Sequence, residues 1–398
     1  MQISRLLTYP IKSLRAVELE SSELTQLGFP YDRRFMLLEV TKETDDGKVK
    51  YENIHIAIYY KAALFRQRLS LPGPDPIAEP GEITVSFHPP DDDGDGHTPR
   101  EIVVPLTPGN TADLEVIEVV MHQSATRAYL MGQKYTDFFS ACFGMPVVLA
   151  YLGEHQRPVR MSHDVRDPTT SGPWQEQEKN SWLGSLSSMT ASASSYILGG
   201  GAKSEPRITF ADCAPYLVAS ERSLEDLHRR LPEGELMDIT KFRPNIVVSG
   251  ADEPWEEDFW TELTVAGTTR IACVQNCGRC LSINVDYATG AGGVSAAGKM
   301  LKLMQKDRRV DPGMKYSPIF GRYAFIGSEA QGHSIRVGDV VKVSKRTEQR
   351  TVFGMSSPWP ERDITIVNLV DALTFEVRRL GRPLHSLIST LVPCTGFG

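Results

Sequence analysis

The sequence predicts a mainly β protein with α decoration (α+β): two β-barrel modules in series and an amphipathic helix in the tail. Three observations lead there. Residues 2 to about 120 alternate apolar and polar side chains with the two-residue period of half-buried strands, as in Arg34-Phe35-Met36-Leu37-Leu38-Glu39-Val40 and Glu82-Ile83-Thr84-Val85-Ser86-Phe87. Strand-like runs return after residue 208. Helical spacing is otherwise confined to short runs and to the last fifty residues.

The first module is expected over residues 1–150, with Gly28 and Asp45-Asp46-Gly47 supplying turns. Residues 134–144 have helical spacing that stops at Gly144, and 146–152 return to strand character. From Gly153 to about Arg207 the chain is rich in Ser, Gly, Pro and His, so residues 151–207 read as a mobile insertion. The second module spans 208–346. Its strands are expected at 215–220, 244–250, 268–274, 281–285 and 339–344, with short helices near 257–263 and 299–306. Ser223 and Asp226 form a capping-box pattern ahead of a helix carrying Leu224, Leu227 and Leu231 on one face. In the tail, 347–398, Ile366, Val370, Leu373, Val377 and Leu380 recur at helical spacing, and Gly381 with Pro383 ends the run.

Composition narrows the function. The 398 residues are 41% hydrophobic and 23% charged, ordinary for a globular protein with a sizeable core. A formal net charge of −7 argues against a nucleic-acid partner, which calls for clustered Lys and Arg, but leaves room for a local anion pocket. Cys142, Cys213, Cys273, Cys277, Cys280 and Cys394 do not have the spacing of a secreted disulfide framework. The N-terminus runs straight into a strand pattern without a leader, and no apolar stretch reaches membrane-spanning length. These features lead to an expected cytoplasmic location without a transmembrane segment, with organelle membranes reached only through partners.

Several motifs fall short of their chemistry. Asp91, Asp93, Asp95 and Gly96 begin a calcium-loop pattern, but Ile102 stands where its bidentate Glu belongs. Gly293 to Lys299 has phosphate-loop spacing, yet Met300 replaces the Ser or Thr. Cys273, Cys277 and Cys280 have iron–sulfur spacing, but Cys273 sits in an alternating run where a small buried hydrophobe is the plain reading. No His-Glu-x-x-His or Gly-x-Ser-x-Gly pattern supports a zinc or serine hydrolase. Cys280 is the residue that points to chemistry. A thiolate is a soft ligand for a redox-active transition metal, and the guanidinium of Arg279 beside it is expected to favour the ionised form.

Four segments in order carry a resemblance: Tyr9-Pro10-Ile11-Lys12-Ser13, Asp32-Arg33-Arg34-Phe35, Phe242-Arg243-Pro244-Asn245-Ile246, and Cys277-Gly278-Arg279-Cys280 through Asp286. A later segment, Tyr316 to Tyr323, extends it. The chain resembles the N-terminal β-barrel and MOSC domains of molybdenum-cofactor proteins over about residues 1–345, and within them the amidoxime-reducing component family. That resemblance implies a molybdenum cofactor (molybdopterin) with Cys280 as the catalytic metal ligand. It implies that Lys12, Ser13, Arg33, Arg243 and Asn245 hold the pterin and its phosphate, and that Gly278 and Tyr323 make further cofactor contacts. It also implies two-electron reduction of N-hydroxylated substrates, with electrons from cytochrome b5 and its reductase. Pyridoxal phosphate enters only through the wider family.

Where the family has a Thr-Ser pair after Asp212, this chain has Cys213-Ala214, which leaves only backbone contacts to the cofactor there. The segment Asn53 to Tyr60 also departs from the family's polar and basic pattern. On residue type alone, Lys12 and Arg33 would be surface charges and Asn245 a turn residue, whereas an unpaired Arg243 in an apolar strand would be costly. The alternative function is a cofactor carrier or sulfur-handling module without reductase turnover.

Overall fold

A computed structural model describes residues 1–42, 49–75, 79–90, 100–122, 124–160 and 206–354. The aspartate loop, most of the insertion and the tail helix expected from the sequence lie outside them. In chain order the first elements are β1 (Gln2–Thr8), β2 (Val17–Leu19), β3 (Ser21–Glu23), β4 (Phe35–Lys42), β5 (Val49–Asn53), β6 (Phe65–Ser70), β7 (Glu82–Phe87), β8 (Arg100–Pro105), β9 (Val116–Met121), β10 (Ser124–Leu130), α1 (Gln133–Phe143) and β11 (Val147–Tyr151). There follow β12 (Arg157–Pro158), β13 (Arg207–Ile208), β14 (Tyr216–Ser220), α2 (Glu221–His228), β15 (Ile246–Ser249), β16 (Trp260–Val265) and β17 (Thr269–Gly278). The last are β18 (Val285–Asp286), β19 (Ala291–Gly292), α3 (Met300–Met304), β20 (Ile319–Phe325), β21 (Ser334–Arg336) and β22 (Val341–Arg346). The protein is mainly β, as its alternation predicts.

Among the described residues, two sheets build a barrel-like N-terminal region. One runs β5-β4-β11-β10-β9 and the other β6-β7-β8. Phe35 and Leu37 of β4, Phe65 of β6, Ile83 and Val85 of β7 and Phe139 of α1 share one apolar core between them. Helix α1 ends where expected: Gly144 takes the left-handed conformation, φ 75°, and its N–H closes on Ser140 O.

The larger sheet has eight strands, ordered β2-β1-β15-β14-β20-β17-β16-β22. Its first two come from the start of the chain, β1 pairing antiparallel with β15, and β14 pairs parallel with β15. Apolar residues cover both faces. Leu6, Val218, Ile246 and Val248 point into one core, while Leu7, Ala219 and Val247 point into the other with Phe242, Met300 and Phe320. This two-sided burial is why residues 246–248 read as a continuous apolar run. The insertion is tied at its base, since β12 pairs with β13 through Arg157↔Ile208 and Pro158↔Arg207.

Three local expectations change. Ser223 does not cap α2, whose N-cap is Ser220. Buried in the core, Ser223 donates to Glu257 Oε2 at 2.7 Å and accepts from the Trp255 N–H at 2.8 Å. The helix expected over 257–263 is a 3-10 turn, Glu256–Phe259, followed by β16, where Leu263 and Val265 alternate with Glu262 and Thr264. Most of 281–285 is a 3-10 turn, Leu281–Asn284, rather than a strand. The glycine-rich loop packs on itself: a Cβ on Gly298 would stand 2.5 Å from the Gly293 carbonyl carbon.

Candidate functional site

The turn after β1 and the loop before β4 meet the segment before β15. The ring of Tyr9 lies between two guanidiniums, Arg33 at 4.6 Å and Arg243 at 4.3 Å, and its hydroxyl donates to Pro244 O at 3.1 Å. Arg33 donates to Asp32, to Asn245 Oδ1 at 3.2 Å and to Arg243 O at 3.2 Å. Asp32 is itself fixed by the Tyr9 N–H at 2.8 Å and the Thr8 hydroxyl at 3.1 Å. Burial would lower the Arg33 pKa, but Asp32 and its hydrogen bond raise it.

Lys12 is 6% exposed, and its ammonium bonds Asp212 and Phe210 O, the latter at 3.0 Å. Arg33 is 8% exposed. The plain surface-charge reading of both residues is therefore wrong; carboxylates compensate them inside the protein. Asn245 is not a turn residue either. Its amide donates to Leu7 O at 3.2 Å while its oxygen accepts from the Leu217 N–H at 3.2 Å, joining β1, β14 and β15. Ser13 donates to Ile54 O at 2.7 Å.

Arg243 differs from its neighbours. It sits half-buried at the end of the 3-10 turn Ile239–Phe242, not inside a strand, and donates from Nη1 to Leu14 O at 2.8 Å. Its Nη2 is buried and makes no hydrogen bond of good geometry, although the Tyr287 hydroxyl interacts with the guanidinium. Arg15 and Lys241 stand over the Tyr287 ring at 4.9 and 5.4 Å, adding positive charge on this side. Ser13, Arg33 and Arg243 all have left-handed backbones, φ 73°, 50° and 57°. Such conformations cost about 1 kcal/mol or more in residues other than glycine and gather at functional sites.

Cys280 is exposed, its Sγ 3.2 Å from the Ser282 hydroxyl. Its neighbour Arg279 does not turn its guanidinium toward the thiol as expected. Arg279 turns inward and donates from Nε to Phe320 O at 2.9 Å, from Nη1 to Phe242 O at 2.7 Å and from Nη2 to Phe320 O at 2.6 Å. Extended backbone sends successive side chains to opposite sides, so the neighbour of an outward thiol points in. Gly278 leaves room for Met314, whose Sδ would stand 2.3 Å from a Cβ there. Cys273 packs in the sheet core, away from solvent.

Behind Cys280, the thiols of Cys277 and Cys213 and the Tyr323 hydroxyl interact with one another. Burial, with Asp212 and Cys277 nearby, pushes the Cys213 thiol up to about 12, and burial raises Tyr323 well above its ordinary value. Both hold their protons. Ala214 is buried against Val159, Val274 and Phe325.

Residues that the motifs did not single out complete the cluster. Asp212 links to Lys12 and, at 3.4 Å, to His122 Nε2. Burial alone would raise the Asp212 carboxyl, but Lys12 and His122 hold it well below its usual range, an effect screened where half the side chain meets solvent. His55, from the segment whose pattern departs from the family, is driven down to about 4 by burial and by Lys12, so it is neutral. Arg157 is 1% exposed and spends every guanidinium nitrogen on the carbonyls of Met121, Thr209, Ala211 and Asp212. The only sequence signal for this group was Asp212 itself, directly before Cys213.

Hydrogen bonds and ring stacking thus join Arg243, Tyr9, Arg33 and Asn245, and Lys12 joins Asp212. The bond from Arg279 Nη1 to Phe242 O ties the neighbour of Cys280 to the neighbour of Arg243. Residues 205–342 match the MOSC domain family, and residues 1–51 match the MOSC N-terminal beta barrel domain. The chain carries a MOSC domain. This MOSC-domain protein is 26% identical to Mitochondrial amidoxime-reducing component 1 of Danio rerio over 325 residues, 81% of this chain and 79% of that protein. It is 37% identical to the human component 1 over 139 residues, 34% of this chain and 38% of the relative. Mitochondrial amidoxime reducing component 2 of Rattus norvegicus is 40% identical over 138 residues, again 34% and 38%. The last two alignments thus span under half of those relatives. Their names place these proteins in mitochondria and give no support to the cytoplasmic expectation; none mentions pyridoxal phosphate.

Proposed function

We propose that this MOSC-domain protein is a molybdenum-cofactor-dependent oxidoreductase that reduces N-hydroxylated compounds by two electrons, with Cys280 as its thiolate ligand to the metal. One observation carries the reading: Cys280 is exposed, its neighbour Arg279 is bonded to Phe242 O beside Arg243, and Arg243 keeps a buried N–H without a well-formed hydrogen bond. That donor suits an anion. The pterin phosphate is a dianion or close to it, and guanidinium meets such oxygens with paired hydrogen bonds.

Within this reading Arg243 grips the phosphate, with Lys12 and Arg33 behind it. Ser13 and Asn245 act through the backbone they hold, since their side chains are already spent on Ile54, Leu7 and Leu217. Gly278, Cys213, Ala214 and Tyr323 shape the wall nearest Cys280. When bound, the cofactor would supply a two-electron redox centre. The overall change is R–NH–OH + 2 H⁺ + 2 e⁻ → R–NH2 + H2O. An external donor of the cytochrome b5 and cytochrome b5 reductase type supplies the electrons. Among the described residues no helix is long and apolar enough to cross a membrane.

The test is molybdenum and pterin stoichiometry of the wild type and of Cys280→Ala, followed by benzamidoxime reduction with cytochrome b5 and its reductase as donor. The reading expects metal and turnover in the wild type and no turnover in the variant. Activity retained by a metal-loaded Cys280→Ala protein refutes the ligand assignment. Metal without turnover in the wild type replaces reduction with a carrier or sulfur-handling role.

A further inference from the structure

The chain carries a formal net charge of −7, yet the stretch beside Cys280 is positive. Lys299, Lys302, Lys306, Arg309 and Lys315 are all exposed, and among the described residues none of the five has an ion-pair partner. The acids of the same stretch do not offset them. Asp307 is engaged by Arg230 at 2.6 Å. Asp311 is 1% exposed and accepts from the Gly313 N–H at 2.9 Å and the Asn276 amide at 3.1 Å.

Hydrogen bonds hold this stretch against the chain on both sides of the exposed thiol. After Cys280, Asn284 Oδ1 accepts from the Leu301 N–H at 3.0 Å, in the first turn of α3. Before it, the Arg279 N–H donates to Pro318 O at 2.8 Å, and Gly278 packs against Met314 and Ser317. The middle is tied in by the Ile319 N–H, which donates to Arg308 O at 2.9 Å. Val294 and Tyr316, 83% and 73% exposed, are the two most open large apolar side chains among the described residues, and both stand on these loops. The Gly293 N–H donates to Asn284 O at 2.9 Å, which fixes the residue before Val294 beside the turn that follows Cys280. Apolar anchors within a rim of charge are how protein interfaces are built.

We propose that this face docks the electron donor, a small redox protein whose haem or flavin edge is ringed by carboxylates. Electron transfer weakens steeply with distance, so a donor has to seat where Cys280 opens. The free cations there attract an acidic partner that the net charge of the whole chain would otherwise repel. The partner's carboxylates meet Lys302, Lys306 and Arg309, while Val294 and Tyr316 supply the apolar contact. An anionic membrane on the same face would cover the thiol continuously, whereas a transient donor leaves it open to substrate between encounters. This inference rests on the reductase reading.

The decisive variant is Lys302→Glu with Lys306→Glu, two exposed and unpaired side chains whose exchange leaves the core untouched. In the molybdenum-loaded full chain, the KM for cytochrome b5 in benzamidoxime reduction should rise about tenfold at low ionic strength, and its dependence on salt should flatten. Turnover driven by reduced methyl viologen, which needs no docking face, should not fall. Arg270→Glu with Lys342→Glu makes the same change of net charge at the far end of β17, where Thr264 pairs with both residues, and should leave the KM near its wild-type value. NMR shifts of the labelled cytochrome b5 haem domain, titrated with the full chain, should weaken in the first double variant and not in the second. An unchanged KM in the first, an equal rise in both, no NMR contact with the wild type, or lost binding to cardiolipin-containing vesicles with cytochrome binding intact overturns the proposal. A wild type that binds cytochrome b5 through these lysines but never reduces benzamidoxime sinks the reductase reading and upholds the docking face, so the two failures are distinct.

Discussion

Arg279 and Arg243 both border Phe242, yet their guanidiniums end in opposite conditions. Every nitrogen of Arg279 is spent on a backbone carbonyl, as is every nitrogen of Arg157. Arg243 is half-buried, and its buried Nη2 makes no hydrogen bond of good geometry. An orphan donor alone does not mark a site, because Arg322 Nε is also unpartnered, sealed in the sheet at 0% exposure. Nor does half-burial single Arg243 out, since Arg222 Nε is unpartnered on a half-buried residue too; what distinguishes Arg243 is its place, stacked on Tyr9 beside Arg33. The same contrast holds for the thiols, with Cys273 sealed in a core and Cys280 open. A buried cation whose donors are all used is holding the fold; a donor in reserve suits a ligand only where other cations and an open face gather around it.

The largest effect expected from this contrast is on Cys280. Cys280→Ala should lower turnover by at least about 10³-fold while shifting the thermal midpoint little, since the side chain is exposed. Arg279→Ala should do the reverse. It removes three charge-assisted hydrogen bonds and strands two buried carbonyls, so urea denaturation should show a loss of about 2–4 kcal/mol. If Arg279→Ala proves as stable as wild type, the division between fold-holding and ligand-holding arginines fails.

These roles were unequally legible in the sequence. The gross β character and the end of α1 at Gly144 followed from period and turn chemistry, which are local. Lys12, Ser13, Arg33, Arg243 and Asn245 were found through ordered segments, but their burial was not visible, because the carboxylates beside Lys12 and Arg33 depend on folding. The inward turn of Arg279 could have been read from its place beside Cys280 on extended backbone. His55, His122 and Asp212 could not, since nothing in their spacing shows that β9, the loop after β5 and the approach to β14 converge.

His55 offers a probe of that convergence. Its folded-state pKa of about 4 lies below the ordinary value of 6.5. Its neutral form therefore stabilises the fold fully above about pH 6.5, and that contribution is lost as the pH falls through about 4. The loss amounts to up to about 3 kcal/mol. Stability measured by urea unfolding should decline over this window in the wild type and decline less in His55→Gln. An unchanged slope would mean that His55 is not held neutral beside Lys12.

The smallest change in stability, and the sharpest test of the contrast, is expected at Arg243. Arg243→Ala leaves the left-handed backbone in place, because alanine meets the same penalty as arginine there, so any difference reports on the side chain. The lost contacts are one hydrogen bond to Leu14 O and a half-open stack on Tyr9, together worth about 1–2 kcal/mol. Cofactor retention should respond far more, with the molybdenum-to-protein ratio after gel filtration falling about tenfold or more. Arg243→Lys should recover only part of it, since an ammonium cannot offer the paired donors of a guanidinium. A ratio unchanged in both variants would place Arg243 with Arg279 as a support for the fold, and the phosphate would have to be held elsewhere.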